Sequence, residues 1–199
     1  MKIASGILLI SLLFFLIPML SSCSKSENGG GGGGGPVFPW DYFPGDNEIS
    51  GWVKDGPAET ATTTQELWDL IDGEGQVYMD HGFSSCGRQV YRGSLSGSDV
   101  EIRYLYIYDQ DTDSNAAAVY DDPRSGTGTP WLDDPAGTEA RIDDTGLDSY
   151  TIDFYQSKYF VKITILRKTT EALDVAKLFC HNVSDKMPSG PTTRLPLQG

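Results

Sequence analysis

The alternation of apolar and polar positions is clearest over residues 99–108, which it predicts to form a strand. Five residues of this segment occupy alternate positions: Val100, Ile102, Tyr104, Tyr106 and Tyr108. Because successive side chains of a strand point to opposite faces of its sheet, these five are predicted to share one face. The positions between them become apolar toward the end of the segment, which predicts that this end is covered on both faces.

The same alternation predicts further strands. Residues 52–53 read as a short strand, and residues 83–92 are an ambiguous segment that ends in Val90 and Tyr91. Residues 149–155 and 158–167 alternate again, and the turn at residues 156–157 predicts that they form a tight hairpin.

Helical spacing predicts three helical regions. Thr63 and Glu66 have the spacing of a capping box, and the apolar stripe behind them continues to Gly82 as one kinked helix or two short ones. Asp111 or Asp113 can cap a helix over residues 114–122, and a last helix covers residues 170–186. A loop rich in Gly, Pro and Asp runs over residues 123–137, with Trp131 in its middle, between the helix at 114–122 and the last strands. The order of elements predicts an α+β fold, an antiparallel sheet packed with helices.

The N-terminal segment has the features of a secretory signal. Lys2 precedes an apolar run over residues 3–20, and small residues lead to Cys23. The sequence Leu-Ser-Ser-Cys over residues 20–23 resembles the lipobox of bacterial lipoproteins, and the flanking charges that would stop transfer are absent after it. We therefore predict a signal peptide over residues 1–22 and lipidation of Cys23. An uncleaved membrane anchor is the alternative.

The predicted domain boundaries follow from the anchor. Residues 23–36 contain the lipidated cysteine and seven consecutive glycines, a composition typical of a flexible linker. A single α+β domain is predicted over residues 37–187 and a disordered tail over residues 188–199. Two or three acyl chains hold a protein stably at a membrane. Ser24 directly after the cysteine favours location of the lipoprotein at the outer membrane of a Gram-negative bacterium.

The charge of the chain disfavours two classes of partner. Removal of residues 1–22 takes away a single charge, that of Lys2, and changes the formal net charge from −13 to −14. So acidic a chain is repelled by nucleic acid and by anionic lipid, and no nucleic-acid partner is predicted. Beyond Cys23, two cysteines remain, Cys86 and Cys180. In the cell envelope they can form a disulfide, and the alternative is two separate buried thiols.

Short segments in a fixed order carry a resemblance over residues 47–186. They are Ile49-Ser50-Gly51-Trp52, Glu66-Leu67-Trp68, Ile71-Asp72-Gly73, Tyr78, Gly82-Phe83, Ile107-Tyr108-Asp109, Asn115-Ala116 before Tyr120, and Tyr159-Phe160-Val161-Lys162-Ile163. Their order and spacing resemble a bacterial family of secreted proteins known only as a domain of unknown function. The resemblance implies no activity, cofactor or catalytic residue. The order of strands and helices is similar to the PsbP/Mog1 type of sandwich, whose members mostly act as assembly factors or adaptors.

Metal ligands and catalytic residues are not arranged in a recognisable pattern. Asp109, Asp111 and Asp113 alternate like the start of a calcium loop, but Ser114 replaces the turn glycine and Tyr120 the final glutamate. Helix capping is the stronger interpretation, and a weak calcium site is the alternative. His81 and His181 lie outside metal-binding spacings, and no nucleophile motif is present. We therefore predict no cofactor and no enzymatic activity.

The aromatic residues suggest a surface for binding. Those singled out by their place on the predicted strands and loops are Trp40, Tyr104, Tyr106, Tyr108 and Trp131. Such a row forms either a ligand groove or the half-buried packing of a sheet. The predicted function is a membrane-anchored, non-enzymatic lipoprotein that binds a protein partner in the cell envelope. The alternative is a lipoprotein that binds a small molecule or calcium.

Overall fold

Residues 36–73 and 75–189 are described by the structure, a computed structural model. They belong to one compact unit that begins at Pro36. The predicted signal peptide, Cys23, all but the last residue of the glycine linker, and most of the predicted tail lie outside the described residues.

Eight strands and four α-helices make up the described chain, together with a short 3-10 helix at Pro39–Tyr42. The strands are β1 (Val53–Lys54), β2 (Glu59–Ala61), β3 (Ser85–Leu95), β4 (Ser98–Asp109), β5 (Thr129–Pro130), β6 (Glu139–Asp143), β7 (Tyr150–Gln156) and β8 (Tyr159–Ile165). The helices are α1 (Thr64–Ile71), α2 (Gln76–Asp80), α3 (Asp113–Asp121) and α4 (Thr170–Lys186).

The strands form one antiparallel sheet in the order β1-β3-β4-β8-β7-β6-β5, and β2 also pairs with β3. The four long strands β3, β4, β8 and β7 lie at its centre, and the shorter strands lie toward its edges. An antiparallel sheet with helices packed on it is an α+β fold, so the predicted fold class is confirmed.

Two apolar clusters cover the two faces of the sheet. On one face, Phe179 of α4 packs edge-on against Trp52 and Tyr91, with ring centroids 5.5 and 4.9 Å apart. On the other face, residues of α1, α2 and α3 pack on the strands. Tyr78 of α2 stacks on Tyr108 there, with centroids 3.8 Å apart. The sheet is therefore the middle layer between these clusters, and side chains of the long strands β3, β4, β7 and β8 alternate between them.

A β-bulge in β4 interrupts this alternation, so the prediction that the five alternate side chains of residues 100–108 share one face is wrong. Ile102 pairs with Tyr91 and Leu105 with Gln89, so β4 contains one residue more than β3 in this interval. Against β8 the extra residue lies between Ile102 and Tyr104. As a result Ile102 shares its face with Leu105, and the following tyrosines lie on the opposite face.

The helix starts follow local capping, with one correction. Thr63 accepts a hydrogen bond from the backbone N–H of Glu66 at 3.3 Å, and Glu66 accepts one from the N–H of Thr63 at 3.1 Å, which is the predicted capping box. Helix α1 ends at Asp72 in the left-handed conformation, so the predicted helical region is two short helices. The N-cap of helix α3 is Thr112, so the prediction that Asp111 or Asp113 caps this helix is wrong.

The hairpin of β7 and β8 turns one residue later than predicted. Gln156 pairs with Tyr159, so Ser157 and Lys158 form the two-residue turn. Ser157 has φ 49°, the left-handed geometry that two-residue hairpin turns favour. Strands β2, β5 and β6 were not predicted. Two of them are only two or three residues long, and β6 follows a loop rich in Gly, Pro and Asp.

Candidate binding groove

The five aromatic residues predicted to form a surface lie on two faces of the sheet. Trp40 and Trp131 pack with the cluster under α4, whereas Tyr104, Tyr106 and Tyr108 belong to the opposite cluster. Trp131 is only 6 % exposed, and its indole N–H donates to the carbonyl of Asp133 at 2.5 Å. The prediction of one binding surface made by all five residues is therefore wrong.

The three tyrosines form a column along β4. Their rings are stacked, with centroids 5.5 Å apart between Tyr104 and Tyr106 and 5.6 Å apart between Tyr106 and Tyr108. Tyr104 is half-buried, whereas Tyr106 is 7 % and Tyr108 2 % exposed. Burial raises the pKa of both Tyr106 and Tyr108 above the ordinary tyrosine value, so these hydroxyls stay protonated.

A groove of about 430 Å³ lies beside this column, on the face of the sheet that carries α1, α2 and α3. Its floor is formed by side chains of β3, β4, β8 and β7. The end of α1 and Tyr78 of α2 form one wall, and Gly126 and Asp143 form the opposite one. The three tyrosines are part of its lining, so they are brought together at a concave site even though two of them are largely buried.

A row of polar side chains crosses the sheet beneath this groove. Its members are cross-strand neighbours in register: Glu59 with Arg88, Arg88 with Tyr106, Tyr106 with Lys162, Lys162 with Asp153, and Asp153 with Arg141. Side chains at paired positions of an antiparallel sheet lie about 4.5–5.5 Å apart at their Cβ atoms. The row therefore places two carboxylates and three cations across six strands, with Tyr106 between Arg88 and Lys162.

Arg88 is fixed at one end of the row. Its guanidinium donates to the carboxylate of Glu59, with 2.7 Å between Nε and Oε2, and to the carbonyl of Leu70 at 3.3 Å. Its positive charge also acts on the hydroxyl of Tyr106, where it lowers the pKa against the larger rise caused by burial. These contacts hold the guanidinium between the sheet and the end of α1, where it lines the groove.

Asp153 is the most buried charged group of the row, at 1 % exposure. Its Oδ2 accepts a hydrogen bond from Nε of Arg141 at 3.1 Å. Arg141 is held in turn by the carbonyl of Tyr120 at 2.7 Å and the hydroxyl of Ser125 at 2.9 Å. Burial raises the pKa of Asp153, while Lys162 and Arg141 act in the opposite direction. Within the described chain, Oδ1 of Asp153 accepts no hydrogen bond.

Lys162 and a pair of threonines complete the floor. The ammonium of Lys162 donates to the carbonyl of Ser125 at 2.5 Å, which draws the loop after α3 over the sheet. The hydroxyls of Thr151 and Thr164 lie 3.0 Å apart on neighbouring strands and both line the groove. Gly126 approaches Asp153 so closely that a Cβ at this position would lie 2.2 Å from Oδ2.

Sequence reasoning did not single out Arg88, Arg141, Asp153 or Lys162. The only signal was the opposite charges of Asp153 and Lys162 on the two arms of the hairpin. With the turn at residues 156–157, Asp153 would have paired with Phe160, because moving a turn by one residue moves every partner by two. The observed turn pairs Asp153 with Lys162.

The three aspartates considered for calcium do not converge on one point. Asp109 is bonded to Nζ of Lys158 at 2.6 Å and to the backbone N–H of Asp111 at 2.9 Å. Asp113 accepts a hydrogen bond from the hydroxyl of Ser157 at 3.2 Å. Over residues 36–73 and 75–189, the structure contains no group of three or more His, Cys, Asp or Glu side chains that could hold a metal ion.

The two cysteines are free and fully buried. Cys86 lies in β3 within the cluster that includes Tyr108, and Cys180 lies in α4 within the cluster on the opposite face of the sheet. The sheet separates the two thiols, so the predicted alternative of a disulfide between them is wrong. Burial raises the pKa of both thiols well above the ordinary value, as expected for thiols packed as small apolar side chains.

Comparison with protein-family models, with curated proteins and with solved structures finds no match to this chain. None of the helices among the described residues has the length and apolar character needed to cross a membrane. The groove is therefore interpreted from its own chemistry.

Proposed function

We propose that this chain is a membrane-anchored bacterial lipoprotein whose α+β domain binds a small polar ligand in the groove and does not transform it. The observation that carries the proposal is the concave site of about 430 Å³ that joins the tyrosine column to the charged row. Its volume lies within the range of small-molecule sites, about 300–1,000 Å³. Ligand binding of this kind was the alternative prediction from the sequence.

The burial of the aromatic residues supports a small ligand over an envelope protein partner. A protein interface of standard size needs exposed anchors over about 800 Å² per partner. Tyr106, Tyr108 and Trp131 are buried, and the remaining two lie on different faces of the sheet. The aromatic residues that favoured a protein partner therefore do not form one exposed surface.

The state of the charged groups supports binding without catalysis. Arg88 is paired with Glu59 and Asp153 with Arg141, and the ammonium of Lys162 is bonded to a backbone carbonyl. These contacts engage both ends of the row and fix the charged side chains in place, as expected of a site that orients a ligand. Neither His81 nor His181 belongs to the lining of this groove.

The anchor and the finer fold assignment are part of the proposal. The lipobox-like segment before Cys23 and the glycines after it support attachment to the outer membrane of a Gram-negative bacterium. The central antiparallel sheet with helices on both faces supports the likeness to the PsbP/Mog1 sandwich. That likeness concerns the fold, and a shared fold does not assign a ligand.

Native mass spectrometry of the full chain, incubated with a low-molecular-mass extract of bacterial cells, tests the binding proposal. We expect a bound small molecule on the wild-type protein. In Thr151→Phe the new ring fills the floor of the groove, so the bound species should be lost. Thr151 is half-buried, so the substitution leaves the deepest core residues in place.

Thr129→Phe is the matched control. Thr129 is an exposed strand residue outside the groove lining, so its phenylalanine adds the same ring without filling the site. Binding retained by Thr129→Phe and lost by Thr151→Phe supports the proposal. A wild-type protein that carries no bound small molecule, or equal binding by both variants, refutes it.

A further inference from the structure

We infer that the groove takes a neutral polyhydroxylated ligand, a saccharide of one or two rings, and that one of its hydroxyls donates a hydrogen bond to Oδ1 of Asp153. The inference rests on the proposed function and adds the chemical class of the ligand to it. It starts from the one carboxylate oxygen of the groove that combines deep burial with an unused acceptor.

Asp153 needs a donor that the described chain does not supply. Its Oδ2 is bonded to Arg141, and its Oδ1 is buried without a partner while the residue itself lines the groove. A buried polar atom left without a hydrogen bond costs about 1–3 kcal/mol, and more when it is charged. A ligand that places a donor at Oδ1 recovers this cost on binding.

The surrounding charges favour a neutral donor over a cationic one. Arg141 lies 3.1 Å from Asp153, and Lys162 occupies the paired position on the next strand. These two cations already compensate the carboxylate, so a ligand ammonium would meet repulsion from both. A hydroxyl supplies the missing hydrogen bond without adding charge.

The groove as a whole is nearly balanced in charge, which disfavours a strongly charged ligand of either sign. Arg88 and Lys162 are the cations of its lining, and Asp72, Asp143 and Asp153 are its carboxylates. The carboxylate of Asp143 already accepts hydrogen bonds from Thr145 and Thr127. A ligand therefore gains more from directional hydrogen bonds than from net charge.

Donors and acceptors are interleaved along the floor. The hydroxyls of Thr151 and Thr164 are hydrogen-bonded to each other, so one proton remains free to donate and both oxygens can still accept. The half-buried ring of Tyr104, at the position paired with Thr164, adds apolar surface beside them. A saccharide carries the complementary pattern, because each hydroxyl both donates and accepts and the ring carbons between them are apolar.

Isothermal titration calorimetry of the full chain in detergent tests the inference with three disaccharide probes: maltose, cellobiose and N,N′-diacetylchitobiose. Glycylglycine serves as a zwitterionic comparison of similar length. We expect at least one disaccharide to bind and glycylglycine to give no heat of binding. Asp153→Asn should lower the affinity for that disaccharide at least about tenfold, because a charged acceptor is replaced by a neutral amide.

Thr151→Phe and Thr129→Phe again serve as the variant that fills the groove and its control, so the test does not depend on the folding of Asp153→Asn. Disaccharide binding that is lost only in Thr151→Phe places the ligand in the groove. Equal affinity of Asp153→Asn and wild type overturns the role of Asp153. Binding of glycylglycine alone, or of no probe while the cell-extract ligand still binds, overturns the saccharide class and leaves the proposed function intact.

Discussion

At the scale of single residues, glycines of β3 allow aromatic side chains to approach the sheet. A Cβ at Gly93 would lie 2.5 Å from the indole of Trp52, which is buried and packs against Phe179. Because real Cβ atoms do not approach other heavy atoms so closely, either the indole or the strand would have to move. The position is therefore closed to any larger residue by packing.

We predict that Gly93→Ala lowers the free energy of unfolding by about 1–3 kcal/mol, as expected for an overpacked core. Chemical denaturation monitored by tryptophan fluorescence measures this change. Gly45→Ala is the control, since a Cβ there meets its nearest neighbour, Oε2 of Glu48, at an ordinary 3.5 Å. Equal stability of the Gly93 variant and wild type would contradict the packing argument.

Glu48 links the N-terminal segment to α4. Its carboxylate accepts hydrogen bonds from Lys186 at 2.6 Å, from the backbone N–H of Gly45 at 2.6 Å and from Asn182 at 3.1 Å. The hydrogen bond from Lys186, followed by that from Gly45, lowers the pKa of Glu48 from 4.5 to about 2. A carboxyl group whose pKa falls on folding stabilises the fold above its unfolded value and loses this contribution as the pH falls through the folded value.

Glu48→Gln should therefore lower the melting temperature at neutral pH, and the difference from wild type should shrink as the pH falls from 4.5 to about 2. Thermal unfolding followed by circular dichroism over this range measures the difference. Asp148→Asn replaces an exposed carboxylate in a loop and should have little effect at any pH. A difference in melting temperature that stays constant down to pH 2 would contradict the coupling between ionisation of Glu48 and folding.

At the scale of elements, the bulge in β4 decides which face the tyrosines occupy. The first half of the strand places Val100 and Ile102 under α4, and the second half places Leu105 and Ile107 there. Without the extra residue near Arg103, a strict alternation would have turned Tyr104, Tyr106 and Tyr108 toward α4. The groove thus depends on one inserted residue and not on the composition of the strand.

Deletion of Arg103 should therefore destabilise the protein by several kcal/mol, because half of β4 must present the wrong side chains to each cluster. Urea denaturation compares the deletion with Arg103→Ala, which keeps the bulge and removes only an exposed side chain. The substitution should stay within about 0.5 kcal/mol of wild type. A deletion variant as stable as Arg103→Ala would show that the register is not fixed by the bulge.

At the scale of the whole molecule, the proposed anchor and the described domain have separate roles. The groove is formed entirely by residues between Leu70 and Thr164. Cys23 lies at least 47 positions earlier in the chain. The sequence predicts that the glycines between them form a flexible linker, so we expect that removal of the proposed acyl chains changes where the protein is found without changing the site.

We predict that Cys23→Ala abolishes incorporation of labelled fatty acid and moves the protein from the membrane fraction to the soluble fraction. The loss of all acyl chains removes the apolar area that holds it at the membrane. Ser24→Ala, which keeps the cysteine, should still be labelled. Unchanged labelling and fractionation of Cys23→Ala would exclude lipidation at this position.

The sequence by itself determined the features that depend on near neighbours along the chain. The capping box at Thr63, the span of α4, the main part of β4 and the α+β class all follow from local spacing, and the structure confirms them. Hydrophobic periodicity and capping act over a few residues, so they can be read from one segment at a time.

Only the tertiary structure decided the groove and the environments of the cysteines. The facing of Tyr104 depends on a bulge, the pairing of Asp153 with Lys162 depends on a turn shifted by one residue, and Arg88 comes from a strand distant in sequence. Cys86 and Cys180 were separated by the sheet itself. Each of these depends on the register between strands. Because packing across the whole sheet sets this register, it cannot be predicted from the sequence of a single segment.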